Sequence, residues 1–140
     1  MSRYIILPDG RETKFTLVEL ACRHCGQFNY HPGALDKFQD VRDDLNEAMG
    51  PTSGCRCAVH NAAVGGKANS FHISDVIPAS HVGRKGCMAM DIYTPSPMYR
   101  GRLFACLWKH GFTVGINFVQ NFLHADQRVL IGWEQTTFPY

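Results

Sequence analysis

No stretch of this chain has the run of apolar residues needed to span a bilayer, and neither sign of charge dominates it. Fourteen Lys and Arg stand against twelve Asp and Glu, a formal charge of +2. The basic residues are scattered rather than gathered into a stripe, which argues against a dedicated nucleic-acid surface. A mild positive balance still favours approach to an anionic polymer such as bacterial wall. Low-complexity tracts and repeats at solenoid spacing are missing too. The N-terminal run Met1-Ser2-Arg3-Tyr4-Ile5-Ile6-Leu7 is too short in its apolar part for a signal peptide. The expectation is synthesis in the cytoplasm, with release or delivery required for any substrate outside.

What is present reads as globular. A chain of 140 residues, 45% hydrophobic and 19% charged, buries roughly two-thirds of its unfolded surface. One domain over 1–140, a monomer, is therefore the expectation. The six cysteines (Cys22, Cys25, Cys55, Cys57, Cys87, Cys106) read better as thiols or metal ligands than as disulfides in a chain without an export signal.

Thr16 stands three residues before Glu19, capping-box spacing for a short helix running toward Cys22. Leu35, Phe38, Val41, Leu45 and Ala48 recur every three or four positions, which predicts an amphipathic helix over 34–49 stopped by Gly50-Pro51. Residues 51–86 carry Gly, Ser, Asn and Pro without sustained period and read mostly as loop. A strand is expected over 87–93, then a helix opened by Ser96-Pro97 and closed at Gly111. Phe112, Val114, Ile116 and Phe118 alternate as in a strand, and 122–126 can form another. Trp108 and these aromatics are expected in the core. The order of elements predicts an α+β fold with an antiparallel sheet and flanking helices.

Of seven histidines, His72 and His124 have the most suggestive surroundings, with Asp91 between them in sequence. Two imidazoles and one carboxylate make a three-donor zinc set that leaves a fourth position open, the mark of a catalytic rather than a structural ion. On a strand, His124 and Asp126 share a face, so Asp126 can orient the imidazole or handle a proton.

Thr52-Ser53-Gly54-Cys55-Arg56-Cys57-Ala58-Val59-His60-Asn61, Val64-Gly65-Gly66, Asn69-Ser70-Phe71-His72, Ala89-Met90-Asp91 and Phe122-Leu123-His124-Ala125-Asp126 together resemble the zinc D-Ala-D-Ala carboxypeptidase family. That family includes phage endolysins and vancomycin-resistance dipeptidases and shares its fold with the Hedgehog signalling domain. The segment from Glu19 to Gly26 and the following helix look like its phage and prophage branch, so the resemblance covers roughly residues 15–130. It implies a zinc peptidase acting on bacterial wall peptides, as a carboxypeptidase or an endolysin-like endopeptidase that works after release or within a virion. His72, Asp91 and His124 would hold one Zn2+, Arg56 would meet the carbonyl or its developing oxyanion, and Ser70 would contact the substrate peptide.

Two features depart from the family pattern. Nineteen positions separate His72 from Asp91, where about seven are usual. The extra segment, 73–85, is either a loop that rims the cleft or a reason to take His81 as the first ligand; His72 is preferred because Asn69-Ser70 precede it. Asn121 stands three residues before His124, where relatives often carry the carboxylate base, and an amide cannot take a proton. Asp126 is the nearest substitute, and the alternative is a non-catalytic zinc-stabilised binding or virion-structural protein. Cys22 and Cys25 form half of a structural zinc site that Cys55 and Cys57 could complete, or that could serve a nucleic-acid-associated module. Free thiols are the preferred reading because the second pair has one-residue spacing.

Overall fold

Alternation along Glu12–Thr16 buries Thr13 and Phe15 and exposes their neighbours, making a strand (β2) that pairs antiparallel with Tyr4–Ile6 (β1). The computed structural model describes residues 3–140; Met1 and Ser2, which begin the N-terminal run considered above, lie outside the described residues. The short helix Leu17–Leu20 (α1) starts on the capping box: Thr16 Oγ1 accepts from the Glu19 amide at 3.3 Å and Glu19 Oε1 accepts from the Thr16 amide at 2.9 Å.

The long helix is Pro32–Leu45 (α2), opened by His31, whose Nδ1 accepts from the Gly33 amide at 3.2 Å. It ends earlier than the expected Gly50-Pro51 stop. Asn46 takes the left-handed conformation at φ 53° and closes the last turn on the Arg42 carbonyl, a geometry Asn tolerates better than most residues. After Pro51–Ser53 (β3), the segment expected to be mostly loop contains one further short helix, Ala58–Ala63 (α3), with Cys57 at its N-cap. Ala89–Tyr93 (β4) leads to Pro97–Lys109 (α4), where Ser96 Oγ accepts from the Tyr99 amide at 3.1 Å. Thr113–Asn117 (β5), Phe122–Asp126 (β6), a 3-10 turn at Arg128–Ile131 and Thr137–Pro139 (β7) complete the chain.

The main sheet has the order β3-β4-β6-β5-β7. It is antiparallel except at one edge, where β7 runs parallel to β5, so the expected antiparallel sheet is in fact mixed. Side chains alternate across it. Met90, Ile92, Val114, Leu123 and Ala125 join the apolar cluster with Leu35, Phe38, Leu103 and Leu107 from α2 and α4. Phe38 lies 4.5 Å from Phe112 between ring centres and is fully buried, so truncating it to Ala would cost about 3–5 kcal/mol.

Two aromatics expected in the core are outside it. Trp108 is 41% exposed, stacked on Phe104 along the outer face of α4, and Phe118 is 63% exposed beyond the end of β5 under the Arg100 guanidinium. Their periodicity was continuous with buried positions, but the elements present them to solvent.

Candidate metal centre

The face of the sheet away from the apolar cluster carries the polar residues. β4 and β6 pair with Asp91 directly opposite His124, and β5 places Gly115 opposite His124 on the other side. His72 reaches the same point from the loop after α3, held there because its carbonyl accepts from the Arg56 amide at 2.9 Å and its own amide donates to Ser70 Oγ at 3.1 Å. The structure thus brings together three residues that are far apart in sequence. His72 Nε2 lies 3.0 Å from Asp91 Oδ1 and 3.2 Å from His124 Nδ1, and His124 Nδ1 lies 3.1 Å from the same Asp91 oxygen.

The outer partners decide what these atoms can do. His72 Nδ1 is 2.8 Å from the Gly54 carbonyl, which only accepts, so the proton of the neutral ring sits there and Nε2 presents a lone pair. His124 Nε2 is 2.7 Å from Asp126 Oδ2, so Nδ1 likewise presents a lone pair. Two nitrogen lone pairs and a carboxylate oxygen then converge with no hydrogen between them, which is repulsive unless a cation stands among them. A tetrahedral zinc with bonds of about 2.0–2.1 Å separates its donors by roughly 3.3 Å, close to the observed triangle. The residues fit zinc.

The chain's own charges make this point attractive to a cation. Burial disfavours charge on His124, but Asp126 and Asp91 overcome it and push the ring up to about 9. Burial also opposes the charge on Asp91, yet the two imidazoles hold its carboxyl well below the usual range. His72 is lowered by burial.

Arg56 is buried rather than on the surface. Its Nη2 donates to Asp91 Oδ2 at 2.9 Å and its Nε to Ser53 Oγ at 2.9 Å, so one carboxylate oxygen faces the imidazoles and the other faces the guanidinium. Asp126 is fully buried and accepts from Arg128 Nε at 2.8 Å and Nη2 at 2.8 Å besides His124. It lies on the far side of the His124 ring from the triangle. Burial opposes its ionisation, but Arg128 and His124 bring it down to about 2.

The triangle opens into a cleft of about 710 Å³ lined by Arg56, Ser70, Asp91, His124 and Arg128, with Lys67 exposed at its rim. No residue of 73–85 lines it, which corrects the expectation that this loop borders the cleft. The segment is loop, as expected, but Ile73, Ser74, His81 and Arg84 bury themselves and anchor it behind Phe71. His81, the rival first ligand, stacks on the Phe71 ring at 4.1 Å and takes no part in the triangle.

One wall was not anticipated from the sequence. Phe138, Pro139 and Tyr140 line the cleft, and the Tyr140 ring lies 4.7 Å from that of His124. β7 can approach because Gly115 has no side chain: a Cβ there would meet Phe138 at 2.8 Å and Tyr140 at 3.0 Å. The only available signal was the short alternation at the C-terminal end, too brief to read as a strand. Asn121, in the position of the expected base, sits in the exposed β5–β6 turn at φ 55° and is not among the lining residues.

The sequence model of the family described as Peptidase M15 matches residues 13–126. No curated protein matches the chain.

Proposed function

The chain belongs to the peptidase M15 family, and from that premise we propose that it is a zinc peptidase hydrolysing peptide bonds of bacterial cell wall, in the manner of an endolysin or a D,D-carboxypeptidase. The carrying observation is the triangle itself: His72 Nε2, Asp91 Oδ1 and His124 Nδ1 meet at 3.0–3.2 Å with their lone pairs turned inward and a cleft in front of them. These three residues would hold one zinc. Bound zinc supplies Lewis acidity, polarising a carbonyl and acidifying a water.

The chain's own residues then divide the remaining work. Arg56, already charge-paired with Asp91, offers a fixed cation beside the position of a carbonyl gaining negative charge. Tyr140 keeps its proton because burial raises its phenol, leaving at the cleft wall a hydroxyl able to donate to a substrate oxygen. Asp126 orients His124 and fixes its tautomer; with Arg128 on both its oxygens it is engaged away from the cleft. Ser70 holds the His72 backbone and stands at the cleft wall beside the substrate. Arg56, Lys67 and Arg128 against a single lining carboxylate, Asp91, suit a peptide with free carboxylates, as wall stem peptides have.

The same observation favours a second reading. Among the described residues that line the cleft, no carboxylate is free to act as base, so a zinc-stabilised binding or virion protein of this family is the alternative. Digestion of purified peptidoglycan by the zinc-loaded chain separates the two. New peptide fragments in the mass spectrum, lost with a chelator and regained with zinc, are expected. A fully loaded chain that releases none turns the conclusion to the binding reading.

A further inference from the structure

A second group of metal-type donors lies outside the cleft. Cys22, Cys25 and Cys57 bring their sulfurs within 4.8 Å of one another. None lines the cleft, and none has a part in the proposed peptidase chemistry. The local backbone explains the cluster. Cys22 to Gly26 folds as a tight turn in which the Gly26 amide donates to the Cys22 carbonyl at 2.8 Å, with Gly26 at φ 75°, a left-handed position that suits glycine. This turn aims the amides of His24 and Cys25 at Cys22 Sγ, and the Cys57 amide joins them at 3.3 Å. Cys57 Sγ in turn accepts from the His60 amide at 3.3 Å, as the N-cap of α3. N–H groups directed at sulfur favour the thiolate, the form that binds metal.

A fourth donor is at hand, since His24 Nδ1 lies 3.4 Å from Cys57 Sγ. Cys55 turns elsewhere: its sulfur accepts from the Asn29 amide at 3.4 Å. The two-residue step from Cys55 to Cys57 therefore does not deliver a second pair, and the donors come as three sulfurs and an imidazole.

We infer that Cys22, Cys25, Cys57 and His24 form a second, closed metal site that takes zinc. Zn–S bonds of about 2.3 Å place tetrahedral sulfurs roughly 3.8 Å apart, so the three sulfurs need to draw in by about 1 Å, and the His24 ring, in reach of Cys57 alone, has to turn in to join them. Four protein donors leave no open position, so the ion is structural. Its effect reaches the cleft through one peptide unit. Cys57 follows Arg56, and the ion ties the turn after α1 to the segment from which Arg56 reaches Asp91.

The test uses the full chain purified under reducing conditions and loaded with zinc or cobalt. Two metal equivalents per wild-type chain are expected, and a sulfur-to-cobalt charge-transfer band. His72→Ala should keep one equivalent and the band. Cys25→Ser, a near-isosteric change at an exposed residue, should keep one equivalent and lose the band, with its circular dichroism checked against the wild type. His24→Ala should shift the band. A wild-type chain with one equivalent and no band overturns the site without reliance on any variant. So does an intact mass showing a Cys22–Cys25 disulfide in protein isolated without air. A His24→Ala band identical to the wild type removes His24 from the set.

Discussion

Two buried histidines nine positions apart on one segment meet opposite surroundings. His72 has a partner for each ring nitrogen, the Gly54 carbonyl on one side and the Asp91–His124 pair on the other. His81 is as deeply buried, between the face of Phe71 and the edge of Trp133, yet neither of its ring nitrogens has a hydrogen-bond partner among the described residues. Both regions contain an arginine and an aromatic ring. What separates them is whether the outer partners turn lone pairs toward a common point, so burial alone says little about a histidine's use.

The sharpest way to break this contrast is to truncate each histidine. His72→Ala should empty the cleft's metal site, taking metal content down by one equivalent, and with it abolish all hydrolysis of wall peptides, because two donors do not make the three-ligand site. His81→Ala should retain metal and activity and lose only stability, through the space left between Phe71 and Trp133. Metal content by mass spectrometry and turnover on the same preparations check both. A His81→Ala chain that stays folded but no longer loads metal would show that the comparison has been drawn at the wrong place.

A smaller effect is expected at Arg56. Arg56→Ala, saturated with zinc, should lower turnover about a hundredfold, the usual scale for losing one donor to developing charge. Since Arg56 also donates to Asp91 Oδ2, metal content must be measured alongside. Unchanged turnover at full loading would remove Arg56 from the mechanism.

How legible was this in the sequence? The capping box at Thr16, the helix opened at Ser96-Pro97 and the strand 122–126 rest on local signals, and they appear where those signals put them. The meeting of His72, Asp91 and His124 was readable because ordered motifs carried it. Contacts that depend on long-range closure were not readable. The C-terminal wall needs β7 to dock parallel to β5 over Gly115, and no local pattern encodes that. The inward anchoring of 73–85 depends on His81 finding a slot between two rings whose positions are 62 apart in sequence. Asp126 was expected to share a face with His124, and does, but its second partner, Arg128, lies beyond the strand and changes its meaning.

Asp126→Asn sharpens that last point. The amide still reaches His124 but no longer enforces the tautomer, so zinc should bind about 10–100-fold more weakly. Activity should return with excess zinc, read by titrating the metal against turnover. Zinc held at wild-type affinity with activity gone would instead give Asp126 a proton-handling role.

The smallest effect concerns His81 and pH. Burial, then the neighbouring Arg84, lowers its ring from 6.5 to about 4, with Asp126 acting the other way and Arg128 adding to the depression. In the folded protein the ring is therefore neutral at pH values where the unfolded chain would protonate it. Between 6.5 and about 4 the unfolded state binds more protons, so the residue's contribution to stability is whole above 6.5 and is lost as pH falls through that window. His81→Phe keeps an aromatic ring between Phe71 and Trp133 and removes the titration. Melting temperatures of the two chains across the window should diverge, the wild type falling more steeply on acidification. His31, also lowered by burial, adds a slope of the same sign to both chains and cancels in the difference. Asp126, held at about 2, exerts its effect mainly below the window. Parallel melting curves would mean that His81 is not kept neutral by its packing, and the contrast with His72 would then rest on the hydrogen bonds alone.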